Sequence, residues 1–164
     1  AQGGGPVDAQ QHDHEQEQHD DRAGRDDGLH DGQGVRLLGD ERTRALVTRF
    51  ADAFERGDVE AIVSLLVEDA EFTMPPYAAW YRGRRAAAAS WLVPGGPPPR
   101  LRSLPVRANG QPAVAFYQLD PATGAYLPLA LDVLTLQDDR IAAVTAFRIP
   151  ALFRSFALPD RLPA

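Results

Sequence analysis

The sequence predicts an α+β domain in which helices gather on one face of a curved, mostly antiparallel sheet. Three observations carry this. Apolar residues recur at helical spacing between Leu46 and Leu66. From Leu101 to Ile149 the pattern changes to alternating strand-like runs separated by turn dipeptides. Helices placed ahead of a series of antiparallel strands fit an α+β layer better than an alternating parallel one. The expected order is α-α-β-α-β-β-β-β.

Each element has a local cause. Asp40 is placed to cap a first helix, whose stripe is Leu46, Val47, Phe50 and Phe54. Gly57 ends it, and Asp58 caps a second, shorter helix carrying Ile62, Val63, Leu65 and Leu66. Ala70–Met74 reads as a strand stopped by Pro75-Pro76. The alanine-rich run Arg84–Leu92 reads as a third helix, followed by the stiff loop Pro94–Pro99. Leu101–Ala108 and Pro112–Leu119 flank Asn109-Gly110, a hairpin turn dipeptide that Gln111 would lengthen if it stayed unpaired. Ala125–Gln137 is a long strand in which Pro128 cannot donate to a ladder, so it calls for an edge or a bulge. Asp138-Asp139 turns into a strand over Arg140–Ile149, and Ala151–Phe156 reads as a last helical turn.

Charge divides the 164 residues in two. Residues 1–40 hold ten Asp/Glu against three Arg, whereas residues 41–164 hold thirteen against fourteen. We therefore expect residues 1–39 to be a disordered acidic tail rich in His, Gln and Asp, and residues 40–164 to be the folded domain. The tail has too little apolar surface to offset its ordering entropy. A body of this size supports one hydrophobic core. The tail also holds all four histidines, but nothing rigid there fixes a metal geometry, so no metal and no cofactor are expected. With no cysteine in the chain, disulfides, thiolate metal sites and cysteine nucleophiles are excluded. No apolar run reaches a membrane span. A nearly neutral body without a basic run lacks the footprint of a nucleic-acid binder. Cytoplasm is the default location.

The segments Phe50-Ala-Asp-Ala-Phe-Glu-Arg-Gly-Asp58 and Leu65-Leu-Val-Glu-Asp-Ala-Glu-Phe72 resemble the entry of the cone-shaped nuclear-transport-factor-2-like (NTF2-like) superfamily, in its SnoaL-like branch. More specific are Met74-Pro-Pro-Tyr-Ala-Ala-Trp-Tyr-Arg-Gly83, Ala108-Asn-Gly-Gln-Pro-Ala113, Thr145-Ala-Phe147 and the Leu152-Phe153…Phe156…Pro159 ending. Together these are similar to the C-terminal SnoaL-like domain of a group of extracytoplasmic-function sigma factors, mostly actinobacterial. That group often carries a proline where this chain has Ala78. The sigma domains themselves are not in the sequence, so the chain is read as a fragment or as the accessory domain alone. The resemblance implies a pocket between sheet and helices and a regulatory role through sigma-factor domains or RNA polymerase, in cis or in trans. It implies no direct nucleic-acid binding.

Within such a pocket the body offers only Asp, Glu and Tyr for acid–base work, since Ser-His-Asp and Cys-His sites need residues it lacks. Asp132 is the one acidic residue in the apolar strand Leu127–Leu136. Ketosteroid isomerase, on this fold, uses an Asp base with Tyr and Asp oxyanion donors. Alternation groups Asp132 with Ala130 and Leu134, against Leu129, Leu131 and Val133, and favours an outward, solvated Asp132. Pointing inward, it would gain a raised pKa and become a usable base. Met74, Tyr77, Trp80 and Tyr81 are expected at an aromatic rim, Trp80 reporting on the pocket more than Trp91. Tyr117 and Tyr126 could offer hydroxyls, and Arg107 and Arg148 could orient an anion.

The expected function is thus a non-catalytic regulatory or ligand-sensing domain taking a small apolar ligand. The alternative is a small enzyme of the polyketide cyclase, ketosteroid isomerase or epoxide hydrolase type, using Asp132. A dimerising scaffold, paired through an exposed sheet face as a homodimer, is the third class. The domain boundary yields a first prediction: deleting residues 1–36 leaves the melting temperature of the body nearly unchanged. Loss of cooperative unfolding in that deletion would overturn the boundary.

Overall fold

The computed structural model describes residues 32–91 and 100–164, with side chains from Asp40 onward. The tail's histidines and the Pro94–Pro99 loop lie outside the described residues. Helix α1 spans Gly32–Arg56, α2 Val59–Leu65, and strand β1 follows directly as Leu66–Thr73. A short strand β2, Trp80–Arg82, precedes helix α3, Arg84–Trp91. Strands β3 (Leu101–Ala108), β4 (Gln111–Leu119), β5 (Tyr126–Gln137) and β6 (Arg140–Phe147) form the meander, and α4 is a single turn at Leu152–Ser155.

The six strands lie in the order β2-β1-β6-β5-β4-β3. All neighbours are antiparallel except β1 and β6, which run parallel. The sheet is therefore α+β and mostly antiparallel, as the sequence pattern predicts. β2 is an addition to the expected order. Three residues between two turns carry too little alternation to be read as a strand.

Local chemistry explains most boundaries. Gly57 takes φ 64° after α1, and Asp58 Oδ1 accepts a hydrogen bond from Ala61 N at 3.0 Å to cap α2. Asn109 and Gly110 adopt φ 51° and 81°, closing a two-residue hairpin in which Ala108 pairs with Gln111. Gln111 thus belongs to the strand and does not lengthen the loop. Pro128 sits at a register shift between β4 and β5, the bulge its missing N–H requires.

Helix α1 begins at Gly32, within the stretch read as tail, so Asp40 does not cap it. The Asp40 carbonyl instead accepts from Arg44 Nε at 3.3 Å, and its carboxylate pairs with Arg107 at 3.2 Å. Both side chains of that pair are more than half exposed, and such surface pairs contribute little.

Both faces of the sheet are covered. On one face Phe50, Phe54, Ile62, Phe72, Ala88 and Phe116 pack α1, α2 and α3 against the strands. On the other, Phe153 of α4 is fully buried against Tyr117 at 5.1 Å in an edge-to-face contact. The Tyr117 hydroxyl donates to the Pro159 carbonyl at 3.0 Å, and Leu162 bridges to Tyr126. The C-terminal segment therefore covers part of the face that a dimerising scaffold would have left free.

Candidate functional site

Between α1, α3 and the inner face of the sheet lies a cavity of about 590 Å³. That volume is within the range of small-molecule sites. Its walls are aromatic: Phe54 from α1, Phe72 from β1, Trp91 from α3 and Phe116 from β4. The rings touch one another, with Phe54 and Trp91 4.7 Å apart between centroids, Phe72 and Trp91 4.9 Å, and Phe54 and Phe116 5.0 Å. Met74, Leu101, Leu129 and Ala146 add aliphatic surface, and Ser90, Arg100, Gln118, Asp132 and Arg148 supply polarity.

Asp132 points into this cavity, not out to solvent as alternation favoured. It is 3% exposed, and it shares the face of Ala130 and Leu134 as expected. The grouping is right and the face is reversed, because α4 and the C-terminal segment bury the opposite face at Leu131. With both faces apolar, alternation cannot say which one meets the helices. Across the ladder Asp132 faces Val114 on β4 and Ala146 on β6, neither of which offers a side-chain hydrogen bond. Its Oδ1 is buried without a partner among the described residues. Burial pushes the carboxyl up from 3.8 to about 7, with Arg148 pulling it back down. Arg148 is held beside the Pro75-Pro76 turn, its backbone N–H donating to the Pro75 carbonyl at 3.3 Å.

The other expected site residues divide. Met74 lines the cavity. Tyr77, Trp80 and Tyr81 do not: they are 61%, 59% and 38% exposed. Pairing of β2 with β1, Trp80 opposite Thr73, carries Trp80 and Tyr81 to the sheet edge, while Tyr81 stacks on Phe72 at 6.0 Å. Tyr117 and Tyr126 belong to the opposite face, with Phe153. That face assignment also raises the Tyr117 hydroxyl pKa, chiefly through burial and then through Asp160. Arg107 is spent on Asp40, away from the cavity, whereas Arg148 is on its wall.

The tryptophan that lines the cavity is Trp91, which the sequence reading placed second to Trp80. Its signal was present: Ala87 and Ala88 are buried, and Trp91 lies one turn further along the same helical face. Its indole Nε1 is the second buried polar atom without a partner among the described residues. Among those residues no cluster of three or more His, Cys, Asp or Glu could hold a metal, and no helix is long and apolar enough to cross a membrane.

An open, mostly antiparallel sheet with helices over one face and an apolar cavity beneath them defines an NTF2-like α+β protein. The SnoaL-like domain model matches residues 47–144, and the chain belongs to that family. Over 119 residues it is 39% identical to the ECF RNA polymerase sigma factor SigG of Mycobacterium tuberculosis. The match covers 71% of this chain and 32% of that protein, so the chain spans about a third of the relative's length. Among solved structures it is similar to an NTF2-like protein from Mesorhizobium loti, with TM-score 0.53, 22% identity, and coverage of 65% of this chain and 90% of the other. It is likewise similar to an NTF-2-like protein from Burkholderia xenovorans LB400, with TM-score 0.54, 15% identity, and coverage of 71% and 94%. At these identities the likeness is one of fold.

Asp132 makes stability depend on pH in a defined direction. Between the ordinary value of 3.8 and about 7 the folded state keeps the proton and the unfolded state releases it. Stability therefore falls as pH rises through that window, by about 4 kcal/mol in all. Asp132→Asn, which cannot ionise, should flatten this slope and unfold at higher denaturant than the parent at pH 8. Equal slopes for both proteins in urea titrations from pH 4 to pH 8 would contradict the buried carboxyl.

Proposed function

We propose that this chain acts as a sigma-factor-type SnoaL-like regulatory domain whose cavity receives a small apolar ligand. In this reading it modulates transcription initiation through contacts with sigma domains or RNA polymerase, and it works in the cytoplasm. The observation that carries the reading is the 39% identity to a sigma factor across 71% of the chain. The cavity supports the sensing half. Its described wall carries one carboxyl and no tyrosine or histidine to complete an acid–base pair. A ligand that fills aromatic surface between α1, α3 and the sheet would change how the helices sit on the strands, and so could be felt by a partner docked outside.

A second reading rests on Asp132 itself. A desolvated carboxyl with a pKa near 7 is suited to removing a proton from a carbon acid, and Arg148 could stabilise the resulting oxyanion. This is the chemistry of a small isomerase or cyclase.

Two linked measurements separate the readings. Added in trans, the chain should alter transcription directed by an extracytoplasmic-function sigma factor truncated before its own SnoaL-like domain. It should not bind duplex DNA alone at physiological salt. No effect on transcription would overturn the regulatory reading. Turnover of a ketone substrate that drops about a hundredfold or more in Asp132→Asn, the scale of a lost general base, would establish the enzyme instead.

A further inference from the structure

The cavity between α1, α3 and the sheet carries a surplus of positive charge. Its ionisable wall residues are Arg100, just before β3, Arg148, just past β6, and Asp132 on β5. The wall residues of α1, α3, β1 and β4 bring no ionisable group. A guanidinium keeps its charge throughout the pH range of a folded protein. Two arginines against one carboxylate leave +1, and +2 once Asp132 holds its proton.

Neither arginine is neutralised by a neighbour in the described structure. Among the described residues Arg82, Arg84, Arg85, Arg107 and Arg154 each pair with a carboxylate, whereas Arg100 and Arg148 form no ion pair. Residues 92–99, which lead into Arg100, contain no Asp or Glu. The carboxylate of Asp120, next to Leu119, is held in its own turn by Ala122 N–H at 3.1 Å and Thr123 Oγ1 at 2.7 Å. Both arginines are anchored through their backbones: the Arg100 carbonyl accepts from Leu119 N–H at 3.0 Å, and Arg148 N–H donates to Pro75. Arg100 is exposed and Arg148 half-buried, so the charge extends from the solvent side of the cavity into its wall.

We infer that the cavity takes an amphipathic anion: a carboxylate carried on an apolar body, the body against Phe54, Phe72, Trp91 and Phe116 and the carboxylate drawn to Arg148 and Arg100. A guanidinium offers a carboxylate a planar fork of donors, which an amide or an ammonium of the same shape cannot use. The inference rests on the reading of this cavity as a ligand site and fixes the charge of what enters it. Asp132 sets when Arg148 is available, because Arg148 is the charge that acts on its carboxyl. Below about 7 the carboxyl keeps its proton and leaves the guanidinium to the ligand; above it, the carboxylate competes. Affinity for the anion therefore falls as pH rises through that value.

The test uses the full chain and three probes of one shape: naphthoate, naphthamide and naphthylmethylammonium. Calorimetry between pH 6 and pH 8 keeps the naphthoate ionised throughout. At pH 6 naphthoate should bind about tenfold or more tighter than naphthamide, the scale of one charge-assisted hydrogen bond, and the ammonium should bind weakest. Arg100→Gln combined with Arg148→Gln should remove that preference and leave naphthamide affinity unchanged, which also checks folding. The preference should shrink severalfold from pH 6 to pH 8 in the parent and stay constant in Asp132→Asn. Equal affinity for naphthoate and naphthamide, tighter binding of the ammonium, a preference that survives loss of both arginines, or no binding of any probe would overturn the anion site. A preference that stays constant with pH in the parent would overturn the role given to Asp132. The expected charge preference with no effect of the chain on transcription would leave the anion site standing and overturn the regulatory reading.

Discussion

The structure turns on the burial of β5 from both sides. This strand lies between β4 and β6, so its backbone is saturated by the ladder, and its side chains must meet apolar surface on either face. On one face Ala130, Asp132 and Leu134 look toward the helices; on the other Leu131 packs with Tyr117 and Phe153. A strand covered twice has no solvated side to which a carboxyl could turn. Asp132 is therefore held in an apolar wall by the same packing that stabilises the sheet, and its raised pKa follows from that placement.

The cavity exists because the helices do not close fully over this wall. Phe54, Trp91 and Phe116 form one contiguous aromatic cluster. Their contact holds α1 and α3 against β4 and leaves open space above β5 and β6. Stability and site are thus built from the same rings. A large aromatic wall with few polar groups suits recognition of an apolar body.

Much of the architecture was legible in the sequence because local rules agreed with the tertiary result. Asp58 caps, Asn109-Gly110 turns and Pro128 bulges where their chemistry demands it. The site was legible in part. Alternation grouped Asp132 with Ala130 and Leu134 but could not choose their face, since that choice depends on Phe153, 21 residues beyond Asp132, packing on the opposite side. Trp91 could have been found from its spacing to Ala87 and Ala88. Trp80 could not have been excluded, because its exposure follows from β2 pairing with the edge of β1, a three-residue strand with no pattern of its own. Tyr117 and Tyr126 were placed on strands correctly, and alternation could not tell which face they share with Phe153 for the same reason as Asp132.

The central claim is that Asp132 is a desolvated carboxyl on the wall of an open cavity. A carbon-detected NMR titration of its side-chain carboxyl, assigned by comparison with Asp132→Asn, measures this directly. The account predicts a midpoint near 7. A midpoint near the ordinary aspartate value of 3.8 would place the group in water and contradict the site described.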